Sequence, residues 1–316
     1  MKHLKIIALM LFLTFLAGIG GYFTAEYRSG HLEAQKNKIA FEKRETAWLE
    51  LKQAVANEIG QFKGEVGIVI KGLDVNQEIS FNKEKLFPSA SLAKVPVMVA
   101  CFLAADQGRI KLDRNIALKS TDKLTGSGSL KEMKPGATFS AEELIGLMIY
   151  DSDNTASNML TNLIGIDYLK NSFKAFGLKN TTFSRKIADF NSRDKGIENY
   201  TTAEDMAFLL ERIYRKSLVS KDASERCIRL MKLSRTNHRI PKYLPAEITV
   251  AHKTGLERDV CHDAGIVFTR KGDFIIVVLT KHANSTGALS MEFIAKVSLY
   301  AYNYFKQFNR MFTYEG

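Results

Sequence analysis

The sequence predicts an α+β fold in which a five-stranded antiparallel sheet carries the terminal helices and lies beside an all-helical region. Three observations predict it. An amphipathic helix precedes the first strand, the strand-like segments form an early pair and a late group of three, and the stretch between these groups is mainly helical. A chain of 316 residues, 46% hydrophobic and 25% charged, can bury a full core. This composition excludes a disordered chain and a polytopic membrane protein.

The N-terminal segment, residues 1–25, differs from the rest of the chain. Lys2, His3 and Lys5 precede an uncharged run at residues 6–23. As a helix this run would be about 27 Å long, close to the roughly 30 Å hydrocarbon core of a bilayer. We therefore expect a membrane anchor or a signal segment, with residues 6–23 contacting the membrane and the remainder of the chain exported. Cleavage of this segment would release a secreted protein instead.

A polar and charge-rich stretch follows at residues 26–43, and it predicts a charged helical linker. The domain that comes next is predicted to cover residues 44–316. Its first element is an amphipathic helix, because Trp48, Leu51 and Val55 recur at helical spacing.

Hydrophobic periodicity predicts the other elements of this domain. Strands are predicted where apolar residues alternate with others between turn residues, and helices where apolar residues recur every three to four positions. In chain order, we predict strands at residues 65–71 and 78–81, an apolar helix at 91–107, a mainly helical region to about residue 233, strands at 248–254, 265–270 and 273–281, and a helix at 289–305.

The charge and the cysteines restrict the range of partners. A formal charge of +11 suits anionic surroundings such as a cell wall, lipid head groups or nucleic acid. An exported chain has little access to nucleic acid, so no nucleic-acid partner is expected. The 3 cysteines are widely and unequally spaced, and the 6 histidines follow no metal-ligand spacing. We therefore expect no metal, no cofactor and at most one disulfide.

A hydroxyl and an amine lie one turn apart at the start of the apolar helix, in Ser91-Leu92-Ala93-Lys94. Serine becomes a nucleophile only when a base takes its proton, and lysine serves as that base only where burial or nearby cations lower its pKa. The N–H groups at the helix start would help to stabilise an oxyanion. This spacing alone is weak evidence, because an N-cap serine with an exposed lysine shows the same pattern.

A second motif, Ser152-Asp153-Asn154, lies in a loop between two helical stretches. The Ser152 hydroxyl is suited to relay a proton to a leaving group. The Asn154 amide is suited to hold both Lys94 and a substrate carbonyl. The same triplet is also typical of a helix N-cap, and we expect it to serve both purposes.

A third motif, Lys253-Thr254-Gly255, lies on a late strand ahead of Leu256. A strand lysine beside Ser152 supplies positive charge, and a threonine hydroxyl can bind a carboxylate. Gly255 allows a close approach of substrate backbone. The structural alternative is an exposed strand end.

The three motifs in this order, on a predicted helix, loop and strand, resemble the penicillin-interacting serine enzymes, most closely the class A β-lactamases and related D,D-peptidases. The resemblance covers about residue 44 to the C-terminus. Residues 44–316 are thus identified as a β-lactamase-like serine hydrolase domain with the β-lactamase/D,D-peptidase-like fold. The resemblance implies that β-lactams and the D-Ala-D-Ala peptides of peptidoglycan bind at this site.

The resemblance also implies how the motifs share the acyl-transfer chemistry. Ser91 would attack the substrate carbonyl, and Lys94 would accept the serine proton directly or through water. Ser152 and Lys253 would pass a proton to the departing nitrogen.

Other positions would bind the substrate. By the resemblance, the backbone N–H groups of Ser91 and Leu256 form the oxyanion hole. Thr254 and the serine of the second motif would hold the substrate carboxylate. A nearby arginine often assists in this family, and Arg258 and Arg270 are the two candidates.

The sequence departs from class A β-lactamases in the loop under the active site. Those enzymes carry the pattern E-x-x-L-N there, whose glutamate activates the deacylating water, and ungapped alignment places Ile187 at that position. Isoleucine cannot accept a proton, so an acyl-enzyme on Ser91 should form normally and hydrolyse slowly. Asp189 is an alternative base if the loop follows another path. Tyr200 replaces the usual aspartate partner of Arg185, so Arg185 is expected to lack that partner.

These features favour a penicillin-binding protein, related to class A β-lactamases, that acts on D-Ala-D-Ala ends of cell-wall peptides. The first alternative is a β-lactamase with a non-standard deacylating base. The second is a sensor of β-lactams or cell wall in which long-lived acylation signals to a partner.

Overall fold

The computed structural model describes residues 1–75, 77–282 and 286–308 of the chain. The end of the predicted domain, residues 309–316, lies outside the described residues. The chain divides into two compact units, Met1–Leu51 and Lys52–Gly316.

The first unit is helical and contains the larger part of α1 (Lys2–Gln61). By length and composition this helix is apolar enough to cross a membrane, a criterion that a signal sequence near an N-terminus also meets. The boundaries of the N-terminal segment, residues 1–25, and of the linker, residues 26–43, remain predictions.

The second unit holds the sheet and the other described helices. The helices after α1 are α2 (Lys94–Asp106), α3 (Ala141–Tyr150), α4 (Asn154–Ile164), α5 (Ile166–Ala175), α6 (Phe190–Asp194), α7 (Ala203–Tyr214), α8 (Lys221–Lys232) and α9 (Ala288–Phe305). The strands are β1 (Gly64–Gly72), β2 (Glu78–Phe81), β3 (Phe87–Pro88), β4 (Asn115–Ala117), β5 (Thr138–Ser140), β6 (Tyr200–Thr201), β7 (Thr249–Glu257), β8 (Val260–Phe268) and β9 (Phe274–His282).

The main sheet has five strands in the order β2-β1-β9-β8-β7. Each neighbouring pair is antiparallel. This arrangement confirms the predicted α+β fold with a five-stranded antiparallel sheet. The strand β7, which carries the third motif, lies at one edge of the sheet, so β8 is its one partner among the described strands.

Both faces of the sheet centre are covered. Seven consecutive residues of β9, from Phe274 to Thr280, are buried, and successive strand residues point to opposite faces. Helices α7 and α9 both contact β8 and β9. The terminal helices also contact each other. Glu58, near the end of α1, accepts a hydrogen bond from the Tyr300 hydroxyl of α9 at 2.8 Å.

Short strands interrupt the region predicted to be mainly helical. β3 pairs with β6, and β4 pairs with β5. These ladders are only two or three residues long, so hydrophobic periodicity gives no signal for them. The β3–β6 pair matters for the site, because it ties the chain before Ser91 to the chain before α7.

The predicted apolar helix at residues 91–107 begins differently in the structure. A 3₁₀ turn, Ala90–Ala93, precedes α2, which begins at Lys94. Pro96 suits the first turn of α2, where a missing N–H breaks no helical hydrogen bond. The three cysteines are buried and free.

Candidate active site

Ser91 lies in the 3₁₀ turn at the start of α2, where it is half-buried. The preceding residue, Ala90, has a left-handed φ of 45°. Strand β7 passes close to this turn, since a Cβ atom on Gly255 would lie 3.3 Å from the Cβ atom of Ala90. Glycine at this position lets the motif strand approach the nucleophile.

Lys94 is fully buried behind Ser91. Its Nζ donates to the backbone oxygen of Ser152 at 2.6 Å and to Asn154 Oδ1 at 2.8 Å, and it lies 3.3 Å from Ser152 Oγ. Burial lowers the pKa of Lys94 to about 7, while the negative charges of Asp153, Glu257 and Asp151 oppose this shift. A substantial fraction of Lys94 is therefore neutral near pH 7 and able to accept a proton.

The hydroxyl of Ser152 lies between two lysines. Lys253 Nζ donates to Ser152 Oγ at 2.9 Å, and Lys94 approaches the same oxygen from α2. Burial lowers the pKa of Lys253, and the positive charges of Lys94 and Arg239 lower it further. This hydroxyl is placed to carry a proton between the two amines.

Hydrogen bonds hold the second motif rigidly. Asp153 caps α4 by accepting from the Ala156 N–H at 2.8 Å, and its other oxygen accepts from the Leu130 N–H at 2.8 Å. Asn154 Nδ2 donates to the Thr125 carbonyl at 3.1 Å. Because Gly128 packs so closely that a Cβ atom there would lie 2.3 Å from the Asp153 carboxyl, the 124–130 loop and the motif form one unit.

A cavity of about 340 Å³ opens in front of Ser91. Its polar wall includes Ser127 and Asn154, and the end of β7 contributes Leu256 to another wall. The structure thus brings together the residues of the three predicted motifs: Ser91, Lys94, Ser152, Asn154, Lys253, Thr254, Gly255 and Leu256. Among the described residues, no group of three or more His, Cys, Asp or Glu could hold a metal ion.

Comparison with known proteins agrees with this fold and motif arrangement. Residues 50–305 match the beta-lactamase enzyme family. The chain belongs to this family. Its membership and the structural match confirm the predicted fold and the predicted class of enzyme, a serine hydrolase.

Individual relatives cover most of the chain. Beta-lactamase VEB-1 of Pseudomonas aeruginosa is 24% identical over 285 residues, which are 84% of this chain and 93% of that protein. The solved structure of PBP-A is 29% identical, with a TM-score of 0.74, and covers 82% of this chain and 96% of that chain. A beta-lactamase from Sphaerobacter thermophilus DSM 20745 is 27% identical, with a TM-score of 0.74, covering 81% and 97%.

Of the two candidate arginines, Arg258 lines the cavity and Arg270 is exposed near the far end of β8. A third arginine, Arg239, was missed by sequence reasoning. It is buried, and its Nη1 donates to the carbonyls of Gly255 at 3.0 Å and His262 at 2.6 Å. Arg239 lies in an irregular segment with no motif around it, so no sequence pattern marks its position.

Arg185 lacks the usual aspartate partner, as expected, but two other carboxylates pair with it. Its guanidinium pairs with Glu198 at 2.6 Å and with Glu257 at 3.4 Å. Tyr200 cannot supply a carboxylate, but Glu198 lies two residues earlier and reaches the guanidinium from the same loop. Arg193 also pairs with Glu198, at 3.4 Å. Sequence reasoning missed Glu198, Arg193 and Glu257, because isolated charged residues on separate elements have no distinctive spacing.

Ile187 lines the cavity of Ser91 and is 6% exposed. Ala188 and Phe190 extend this apolar wall. Asp189, the alternative base, lines a neighbouring cavity together with Ile187. It caps α6 by accepting from the Ser192 N–H at 3.1 Å and hydroxyl at 2.7 Å, and these hydrogen bonds lower the pKa of Asp189. Its carboxylate is thus engaged away from Ser91.

Proposed function

We propose that this chain is an exported active-site-serine enzyme of the penicillin-binding type. β-Lactams acylate Ser91, and the resulting adduct hydrolyses slowly. The D-Ala-D-Ala ends of peptidoglycan peptides are its peptide substrates. The single observation that carries the slow step is Ile187, an apolar side chain on the wall of the Ser91 cavity at the position where class A β-lactamases have their glutamate.

Acylation follows from the hydrogen-bonded groups around Ser91. Neutral Lys94 accepts the Ser91 proton while Oγ attacks the carbonyl carbon, and the N–H groups of Ser91 and Leu256 stabilise the oxyanion. When the C–N bond breaks, Ser152 donates its proton to the departing nitrogen and is reprotonated by Lys253 or Lys94. The acyl group remains as an ester on Ser91 Oγ.

Deacylation needs a base that removes a proton from water beside the ester. Ile187 cannot accept a proton, and its apolar side chain on the cavity wall offers such a water no hydrogen bond. Water activation is therefore weak, and the ester persists. The acylation step of this proposal is supported by the likeness to PBP-A, since a PBP-A variant has been solved as an acyl-enzyme complex with penicillin G at 29% identity and a TM-score of 0.73.

The test is the intact mass of the full chain in detergent after mixing with benzylpenicillin, followed over hours. A stable gain of one drug mass is expected in the wild type and no gain in Ser91→Ala. Release of D-alanine from a D-Ala-D-Ala peptide is measured in parallel, and this release should also require Ser91. Absence of both the adduct and peptide hydrolysis would rule out this function.

A β-lactamase with a different base is the second candidate. Two observations favour it: curated relatives at 24% identity carry the name beta-lactamase, and Glu257 is the one carboxylate among the described residues that line the Ser91 cavity. Rapid return to the unmodified mass, with hydrolysed drug in solution, would support this candidate. Loss of that turnover in Glu257→Gln would then identify the base.

Location is part of the proposal. Residues 1–25 serve as a membrane anchor or signal segment, with residues 6–23 in the membrane, and residues 26–43 form a linker to the enzyme domain at 44–316. Support comes from the uncharged N-terminal run and from a helix apolar enough to span a bilayer. The formal charge of +11 suits an anionic cell wall.

A further inference from the structure

Four charged side chains form a closed ring of alternating sign beside the cavity. We name Arg185, Glu198, Arg193 and Glu257 the charge ring. Arg185 and Glu198 pair at 2.6 Å, Glu198 and Arg193 at 3.4 Å, Arg193 and Glu257 at 3.1 Å, and Glu257 and Arg185 at 3.4 Å. A further pair, Arg193 with Asp259 at 3.3 Å, extends the ring to the turn after β7.

The charge ring joins two segments that are remote in sequence. Three members come from residues 185–198, the loop that carries Ile187 and α6. The fourth, Glu257, is the last residue of β7 and directly follows Leu256. Both segments line the Ser91 cavity, through Ile187 on one and Leu256 on the other.

The end of β7 needs such an attachment more than an inner strand would. As the edge strand it is paired on one side only, where Leu256 is opposite Cys261 and Glu257 is opposite Val260 of β8. Its other edge faces the 3₁₀ turn of Ser91. The Leu256 N–H, which the proposed function assigns to the oxyanion hole, can serve there only if the strand end is held in place.

The ring is poorly suited to a role in stability alone. The side chains of Arg185 and Glu198 are 2% and 8% exposed, and desolvating paired charges costs about as much free energy as their attraction returns. Burial raises the pKa of Glu257, with Glu198 adding to the effect and the two arginines opposing it. A charge kept at such a cost beside a nucleophile is typical of a functional site.

We propose that the charge ring is a clamp that fastens the 185–198 loop to the end of β7 and thereby positions Leu256 and Ile187 relative to Ser91. Arg193 and Glu257 also line the cavity, and the clamp assigns them a positioning role because their ion pair joins its two walls. This inference rests on the proposed function in one respect, namely that Ser91 is the acylated nucleophile.

The test is a double-mutant cycle on Arg193→Gln and Glu257→Gln. The rate constant for acylation by benzylpenicillin and the acylated fraction at completion are both read from intact mass of the full chain in detergent. Each single variant is expected to slow acylation about tenfold, less than the loss of a whole oxyanion donor would. The double variant should be no slower than Glu257→Gln alone, because that substitution already removes both ion pairs of the ring that join the loop to Glu257.

Two controls separate positioning from folding. The exposed pair Lys242 and Glu292, at 2.6 Å, receives the same glutamine substitutions and should leave acylation unchanged. Misfolding lowers the acylated fraction, whereas mispositioning lowers the rate constant while the fraction stays complete. Unchanged rate constants in the single variants, independent effects in the double variant, or a loss confined to the acylated fraction would each overturn the clamp.

A measurement without substrate distinguishes failure of the clamp from failure of the proposed function. Amide hydrogen exchange is followed in peptides covering residues 185–198 and 250–257. The clamp predicts that Glu257→Gln and Arg193→Gln each speed exchange in both segments. Loosening of only the segment that carries the substitution would contradict the clamp, even if the wild type proved not to be acylated.

Discussion

The two sides of the Ser91 cavity differ in chemistry. On the side of α2 and α4, Lys94, Ser152 and Lys253 form an unbroken set of hydrogen bonds, and burial lowers the pKa of both lysines. On the side of the 185–198 loop, Ile187 and Phe190 present apolar surface, with arginine–carboxylate pairs beside them. The hydrogen-bonded groups on the first side can transfer protons. The ion pairs on the second side hold the 185–198 loop.

Under the proposed function, this difference makes forming and hydrolysing the acyl-enzyme separable properties of one cavity. In the proposed mechanism, proton transfer from Ser91 uses groups on α2 and its neighbours, which this chain retains. Water activation uses a position on the loop, where this chain has Ile187. A change on one side should therefore alter one step and leave the other nearly intact.

The largest effect is expected on the polar side. Lys94→Met removes the base, and acylation by benzylpenicillin should slow by about a thousandfold, within the usual contribution of a general base. Intact mass against time measures the rate, and circular dichroism checks the fold. A folded Lys94→Met protein that is acylated at the wild-type rate would show that another group accepts the serine proton.

The next largest expected effect is a loss of stability, caused by a substitution on the loop side of the cavity. Glu198→Gln leaves the Arg185 guanidinium, 2% exposed, with only its longer contact to Glu257 as an ion pair. We expect a loss of about 2 kcal/mol in the free energy of unfolding, since removing one partner of a buried pair leaves an uncompensated charge. Urea denaturation measures it. Glu292→Gln, from an exposed pair, is the control and should change stability by less than about 0.5 kcal/mol.

A smaller effect comes from pH. The neutral form of Lys94 accepts the proton, and burial lowers its pKa to about 7. The rate of acylation should therefore fall about tenfold for each pH unit below 7 and level off above it. Stopped-flow acylation with a chromogenic cephalosporin gives this profile. A rate that stays constant down to about pH 5 would contradict the assignment of Lys94 as the base.

The sequence indicated the polar side through short motifs with local spacing, and the resemblance to a known family brought together Ser152 and Lys253, which are 101 residues apart. Ser91 and Lys94 are three residues apart, and the adjacent Ser152 and Asn154 sit in a loop whose cap residue, Asp153, is favoured at helix starts. Residues so close in sequence can take few relative positions, so their placement is predictable. The predicted sheet followed from equally local alternation.

The loop side was harder to predict because its contacts are long-range. Arg185 and Glu257 are 72 residues apart, and nothing local marks either as a partner of the other. The ends of the strands were also hard to predict, because long-range pairing determines them. β8 begins at Val260 rather than at residue 265, because cross-strand pairing with β7 and β9 extends it through the polar His262 and Asp263.

The lifetime of the acyl-enzyme in Ile187→Glu, compared with Ile187→Gln and the wild type, tests the central claim most directly. Each protein is acylated by benzylpenicillin, the excess drug is removed, and the decay of the adduct is followed by intact mass. We predict at least a roughly tenfold shorter lifetime in Ile187→Glu, because a base now faces the ester, and a wild-type lifetime in Ile187→Gln. Equal shortening in both variants, or a wild-type adduct that decays within minutes, would contradict the account.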